Sequence, residues 1–173
     1  SRIVPFVNGR PLAGVDSWGG VKFSHGWPYG SLRASWSMDP VRHPNLFWGS
    51  PVVLTLGGCA IWRGFLNEPG RDGAMSALGL WEQGKGAQCL TAAGAATADP
   101  REAVNQAISR GRLSWAYPLP DIYPGSPAPQ MDAPYPAQSV VALLDRVTDE
   151  QGTRWFIDSF TGALLTAPDP TTP

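Results

Sequence analysis

Residues 31–38 alternate with a strict period of two: Leu32, Ala34, Trp36 and Met38 stand between Ser31, Arg33, Ser35 and Ser37. A helix would scatter these four apolar groups around its axis, whereas an extended strand gathers them on one face. The run therefore commits this part of the chain to a half-buried β-sheet. The spacing of Gly and Pro extends that reading to the rest. Together they fill 38 of 173 positions, a density that favours short strands and tight turns over long helices.

Other strands follow from the same punctuation. Asn8-Gly9 lies between residues 3–7 and 10–13, and both of its positions accept positive φ, so a hairpin opens the chain. Pro5 and Pro11 restrict those strands to an edge or an irregular pairing, because proline donates no ladder hydrogen bond. Residues 20–25 form a strand with Val21 and Phe23 on one face. Residues 39–51, with Pro40, Pro44 and Pro51, read as a loop. Val52–Leu56, the turn Gly57-Gly58 and Cys59–Leu66 form a second, more deeply buried hairpin. After a turn at 67–73, Ala74–Trp81 and Ala87–Ala93 read as two more strands joined through Gly84–Gly86. The expectation for residues 1–95 is an antiparallel meander of six to eight strands that curls into a β-barrel.

The pattern changes near Ala95. Asp99 is a suitable N-cap, Pro100 suits the first helical position and Glu102 suits the positive first turn. A helix is expected over about 100–110, ending at Gly111, with Val104, Ala107 and Ile108 as its apolar stripe. Residues 117–136 hold seven prolines and three tyrosines and can form neither a helix nor an inner strand. Ser139 caps a second helix in which Val140, Leu143, Leu144 and Val147 recur at helical spacing, and Gly152 ends it. Residues 154–158 and 163–166 close a hairpin around Phe160-Thr161-Gly162. This gives an annex over 96–167, consisting of helix, extended arm, helix and hairpin, followed by a linker at 168–173.

Composition narrows the function classes. Apolar residues make up 43% of the chain and charged ones 16%, below the roughly 25% usual for globular proteins, so much of the surface is neutral and easily desolvated in a permanent interface. A net charge of −1 and a pI near 6.1 give no general attraction for nucleic acid or anionic lipid. No apolar run reaches about 18 residues and no secretory signal pattern opens the chain, so assembly in the cytoplasm is expected. Ser1 is compatible with a natural start after loss of Met. Cys59 and Cys89 read as small buried hydrophobes in a reducing compartment, with a disulfide between them as the alternative, and four Cys and His residues without C-x-x-C spacing do not make a zinc site.

No constellation of catalytic residues emerges. His25 and His43 lack a Ser or Cys in a nucleophile-elbow pattern. Glu68, Asp72 and Glu82 sit in turns, where acidic residues are ordinary solvated groups rather than paired glycosidase carboxylates. Gly84-Lys85-Gly86 is too short for a phosphate loop, and Arg110, Arg112 and Arg146 read as a small basic patch. The chain is expected to be no enzyme and to use no cofactor and no metal. Trp36, Trp62 and Trp155, at alternating strand positions, belong to cores. Trp27 and Trp48 stand in Gly/Pro loops, and together with Tyr117, Tyr123 and Tyr135 of the proline-rich arm they are the candidate protein-contact residues.

Four stretches, taken in order, resemble the minor tail or tail-hub proteins of long-tailed phages of actinobacteria: Gly30–Met38, Ala60–Pro69 with its Trp-Arg-Gly strand and Asn-Glu-Pro turn, Asp99–Gly111 with Trp115, and Gly152–Asp158 with Pro168–Thr171. The resemblance covers nearly the whole chain and aligns it with the N-terminal portion of those proteins. It implies a barrel related to those of tail-tube proteins, in a baseplate-hub-like ring of identical copies at the tail tip. That ring would cap the tube and join it to tip or receptor-binding proteins, possible neighbours being the tail-tube protein and the tape-measure protein. It implies a structural virion protein without a membrane or a specific nucleic acid as partner. Two other readings of the residues are a carbohydrate-binding module that contacts the host wall and a fragment of a tail-associated cell-wall hydrolase.

Overall fold

The computed structural model describes residues 2–12, 20–38, 46–67, 73–116 and 137–170. The chain divides into two compact units: Ser1–Leu80 with Ser159–Thr161, and Trp81–Asp158 with Gly162–Pro173. The fold is mainly β, with three short helices.

The first unit is a sheet of seven antiparallel strands: β1 (Ile3–Val7), β2 (Arg10–Pro11), β3 (Lys22–Gly26), β4 (Tyr29–Ser37), β5 (Pro51–Leu56), β6 (Cys59–Leu66) and β7 (Ala74–Gly79). Their spatial order is β2-β1-β5-β6-β7-β4-β3. The expected hairpins are present, yet the sheet is not a simple meander, because β1 pairs with β5 and β4 with β7. Pro11 lies on the edge, as expected. Pro5 is paired with Leu54 and turns its carbonyl outward to accept from Leu12 N at 2.9 Å, so its missing N–H faces the side where pairing is running out.

From Arg33 on, the period-two run works as read: Ala34, Trp36 and Met38 are buried while Arg33, Ser35 and Ser37 are exposed, but at its start Ser31 is buried and Leu32 only half-buried. Ala34, Trp36 and Met38 join Val7, Val52, Leu54, Trp62, Leu66, Met75 and Ala77 in one core. The expected closed barrel is not formed. Among the described residues β2 and β3 do not pair with each other, and hydrogen bonds involving side chains join β6 to β3 and β4. Trp62 Nε1 donates to Ser24 O at 3.2 Å, Arg63 N donates to Ser31 Oγ at 3.2 Å, and His25 Nε2 lies 2.9 Å from Ile61 O. β6 pairs with β7 only over residues 64–66, while its whole length pairs with β5, with a register shift between Leu54 and Thr55, the kind of irregularity that bends a strand.

In the second unit, residues 80–93 differ from expectation. Leu80–Glu82 is a 3-10 turn, Gln83–Gly86 is a short helix α1, and 87–93 makes only isolated bridges, including Gln88 to Ser139 and Leu90 to Ala96. Ala-rich and Gly-rich sequence offers little side-chain surface to hold a strand in a ladder; α1 stands where the Gly84–Gly86 turn was expected, so the described residues hold three helices against the expected two. The other elements follow the sequence. Asp99 caps α2 (Pro100–Ser109) by accepting from Arg101 N at 3.1 Å, and Ser139 caps α3 (Val140–Glu150) by accepting from Ala142 N at 3.1 Å. Gly152 leaves α3 at φ +69°, and β8 (Thr153–Ile157) pairs with β9 (Leu164–Pro168). The buried stripe Val140, Leu143, Leu144 and Val147 packs with Trp115 and Trp155, whose rings lie 5.7 Å apart. Trp155 Nε1 donates to Asp145 Oδ1 at 2.7 Å.

Candidate protein-interaction surface

Trp36, Trp62 and Trp155 are core residues, at most 4% exposed, whereas Trp27 and Trp48 are 51% and 69% exposed. The two exposed indoles do not share a surface. Since β4 and β6 run parallel, each starting where the other starts, Trp27 in the β3–β4 turn stands at the same end of the sheet as the β5–β6 turn. Trp48 precedes β5 and therefore stands at the opposite end, about one strand length or roughly 20 Å away. Tyr117, Tyr123 and Tyr135, the other candidate contact residues, lie outside the described residues, as do His43, Glu68 and Asp72.

Each exposed indole is carried by a fixed turn. Ser50 N donates to Phe47 O at 3.1 Å, Gly49 N donates to Leu66 O at 2.7 Å, and Leu66 N donates to Ser50 O at 2.8 Å, so the 47–50 turn is laced to the end of β6. Gly49 takes φ +85°, a value that suits glycine. The turn displays Phe47, 65% exposed, beside Trp48, which stacks edge-on against Phe65 at 6.4 Å. Large aromatics on a rigid turn lose little entropy when a partner covers them, and such groups dominate protein interfaces. Phe47 lacked a signal in the sequence beyond its position in a proline-bearing loop. At the other end, Tyr29 holds φ +82°, a strain on the order of 1–2 kcal/mol for a bulky residue.

The outer face of the sheet carries two hollows. One, of about 340 Å³, is lined by Lys22, Phe23 and Ser24 of β3, Arg33, Ala34 and Ser35 of β4, Ser76 to Leu78 of β7, and Asn67. The other, of about 430 Å³, lies over β1, β5 and β6 and includes Phe6, Val53, Cys59, Arg63 and Phe160. Arg63 reaches from Nε to Ser159 O at 3.1 Å and from Nη2 to Phe160 O at 3.0 Å, which fixes the loop that shows Phe160.

Charge is divided along the chain in a way its total hides. Residues 1–80 carry seven Lys and Arg against four Asp and Glu, a net +3, whereas residues 81–173 carry six against ten, a net −4. All four acids of the first part, Asp16, Asp39, Glu68 and Asp72, lie outside the described residues. The described residues of the first unit include Arg2, Arg10, Lys22, Arg33 and Arg63.

No catalytic grouping emerges among the described residues. His25 stacks edge-on against Phe23 at 5.6 Å. Glu82 is 3.9 Å from Lys85, and Lys85 also lies over the Trp81 ring at 4.6 Å. Arg110 donates to Thr91 O. No group of three or more His, Cys, Asp and Glu that would hold a metal occurs among the described residues. Cys59 and Cys89 are free thiols. Contrary to the expected burial of both, Cys59 is exposed beside the Gly57-Gly58 turn. Burial pushes the Cys89 thiol up to about 12, against a partial lowering by Arg146.

Against solved structures, 96% of the chain superposes on 54% of the 43 kDa tail protein of prophage MuSo2 from Shewanella oneidensis, with a TM-score of 0.62 and 13% identity. The chain has a phage tail protein fold. A tail protein from Neisseria meningitidis MC58 matches in the same way, with 99% of this chain on 52% of that one, a TM-score of 0.59 and 13% identity. The chain thus spans about half the length of either. No protein-family profile and no curated protein matches the sequence.

Proposed function

We propose that this chain is a structural subunit of a phage tail, built into a ring at the tail tip that caps the tube and links it to tip or receptor-binding proteins. The observation that carries this reading is the superposition of nearly the entire chain on two phage tail proteins. The surface supports it on independent grounds. An open sheet with free strand edges, a charge-poor composition and rigid exposed aromatics at both ends suits a part completed by neighbours. The mechanism is assembly rather than turnover: edges and loops of one copy finish the surface of the next, and a closed ring leaves no edge free.

The wall-binding reading gains less, because Trp27 and Trp48 stand at opposite ends of the sheet and do not combine into a sugar platform. The test is electron microscopy of the particle that encodes this chain, with the subunit gold-labelled. Label confined to the distal end of the tail supports the reading, whereas label on the capsid, along the whole tube, or absent from particles rejects it.

A further inference from the structure

We propose that Arg146, on α3, is a receptor for a carboxylate carried by another molecule. Nε and Nη2 of its guanidinium are buried and have no hydrogen-bond partner among the described residues. Two acids close to it in sequence on the same helix are engaged elsewhere. Asp145 Oδ1 accepts from Trp155 Nε1 at 2.7 Å, and Asp149 Oδ1 pairs with Arg154 Nη1 at 3.2 Å. Gln138 carries a second orphan, since its Nε2 is likewise buried without a partner among the described residues. Donors shut away from water with no acceptor destabilise the folded chain, and the effect is larger for a charged group. An incoming acceptor relieves it.

Arg146 and Gln138 border the same residue. Gln138 O accepts from Cys89 N at 2.9 Å, and the Arg146 charge is near enough to Cys89 to act on its thiol. That thiol does not serve as the counter-ion, because burial pushes it up to about 12 and keeps it uncharged near neutral pH.

The orphaned atoms also define the chemistry of the guest. All three nitrogens donate and none accepts, so the ligand is an acceptor and not a cation. Nε–H and the adjacent N–H of Nη2 leave one edge of the planar guanidinium side by side, a fork that the two oxygens of a carboxylate fill together. One carboxylate balances the one charge. A phosphate dianion would leave an excess charge in a place partly withdrawn from water. Arg146 as a whole is only half-buried, so its flexible stem can carry the fork to a ligand arriving from solvent. This site does not depend on where in a virion the chain resides.

Acetate is the probe. The full-length chain, with isotope-labelled arginine, is titrated with sodium acetate against sodium chloride at equal ionic strength, and the Nε–H resonance of Arg146, assigned through its own backbone, is followed by NMR. The expected result is a saturable downfield shift with acetate and none with chloride. A dilution series without acetate separates the sources of the natural carboxylate. A shift that grows with protein concentration assigns it to a second copy, and a constant unbound position assigns it to a different molecule.

Acetate should also raise the melting temperature of the second unit by mass action. Arg146→Lys keeps the charge and loses the fork, so it should need about tenfold more acetate for the same rise, the worth of one charge-assisted hydrogen bond. If that variant does not fold, the titration of the unaltered chain decides alone. A resonance that ignores acetate, one already at its bound position at every dilution, or one that phosphate saturates at a lower concentration than acetate would each overturn the proposal.

Discussion

Gly64 is the position where the packing of the first unit is most exposed to test. A methyl group built there would stand inside 3.0 Å of the Leu78 carbonyl oxygen and 2.6 Å from Cζ3 of the Trp62 indole. Neither neighbour can withdraw cheaply. Leu78 is held in the β6–β7 ladder, opposite Phe65, and Trp62 is fully buried and tied to Ser24 O. Overpacking of this kind costs about 1–3 kcal/mol, and displacing the indole also forfeits a hydrogen bond of about 1 kcal/mol. The lower entropy of the unfolded alanine chain returns about 0.5–1 kcal/mol. Gly64→Ala should therefore lower stability by about 2 kcal/mol. Gly58→Ala is the control: φ is +82° with no atom within 4 Å, so only backbone strain of about 1 kcal/mol applies. Urea unfolding followed by tryptophan fluorescence, fitted separately for each transition, measures both. Equal losses in the two variants would refute the close approach of β6 and β7.

Four further outcomes are expected. Thiol titration under native conditions should label Cys59 promptly and Cys89 only after unfolding. Because the folded Cys89 thiol is raised from 9.0 to about 12, the folded state holds its proton more tightly. The associated stability is complete below about pH 9 and lost as pH rises through about 12, and pH-dependent melts of Cys89→Ala should show a flatter alkaline limb. Ser139→Ala removes the acceptor for Ala142 N and should cost about 1 kcal/mol, read from the melting of the second unit. Trp27→Ala and Trp48→Ala should each change stability by less than about 1 kcal/mol yet reduce incorporation into tails, as counted by immunoblot of purified particles.

What the sequence disclosed and what it concealed have separate physical origins. The strands around Trp36 and Trp62, and the caps at Asp99 and Ser139, are local: periodicity, a Gly-Gly turn and a side-chain oxygen before a helix act within a few residues. The pairing of β1 with β5 and of β4 with β7 joins segments tens of residues apart, and no short-range pattern encodes it. The barrel expectation failed for a related reason, since closure depends on which distant strands meet, as the strand order shows. Residues 87–93 misled because small apolar residues satisfy a strand pattern without the side-chain mass to hold a ladder. Of the contact candidates, Trp27 and Trp48 were visible as aromatics in turns, but their placement at opposite ends required the strand order. The division of charge between residues 1–80 and 81–173 was missed because a single net charge was taken over the whole chain.

The distance between Trp27 and Trp48 also bears on how such a protein can change. Each indole rides on its own turn, about one strand length from the other. A substitution in one turn therefore leaves the side chains displayed by the other untouched, so the two ends can vary separately over many generations.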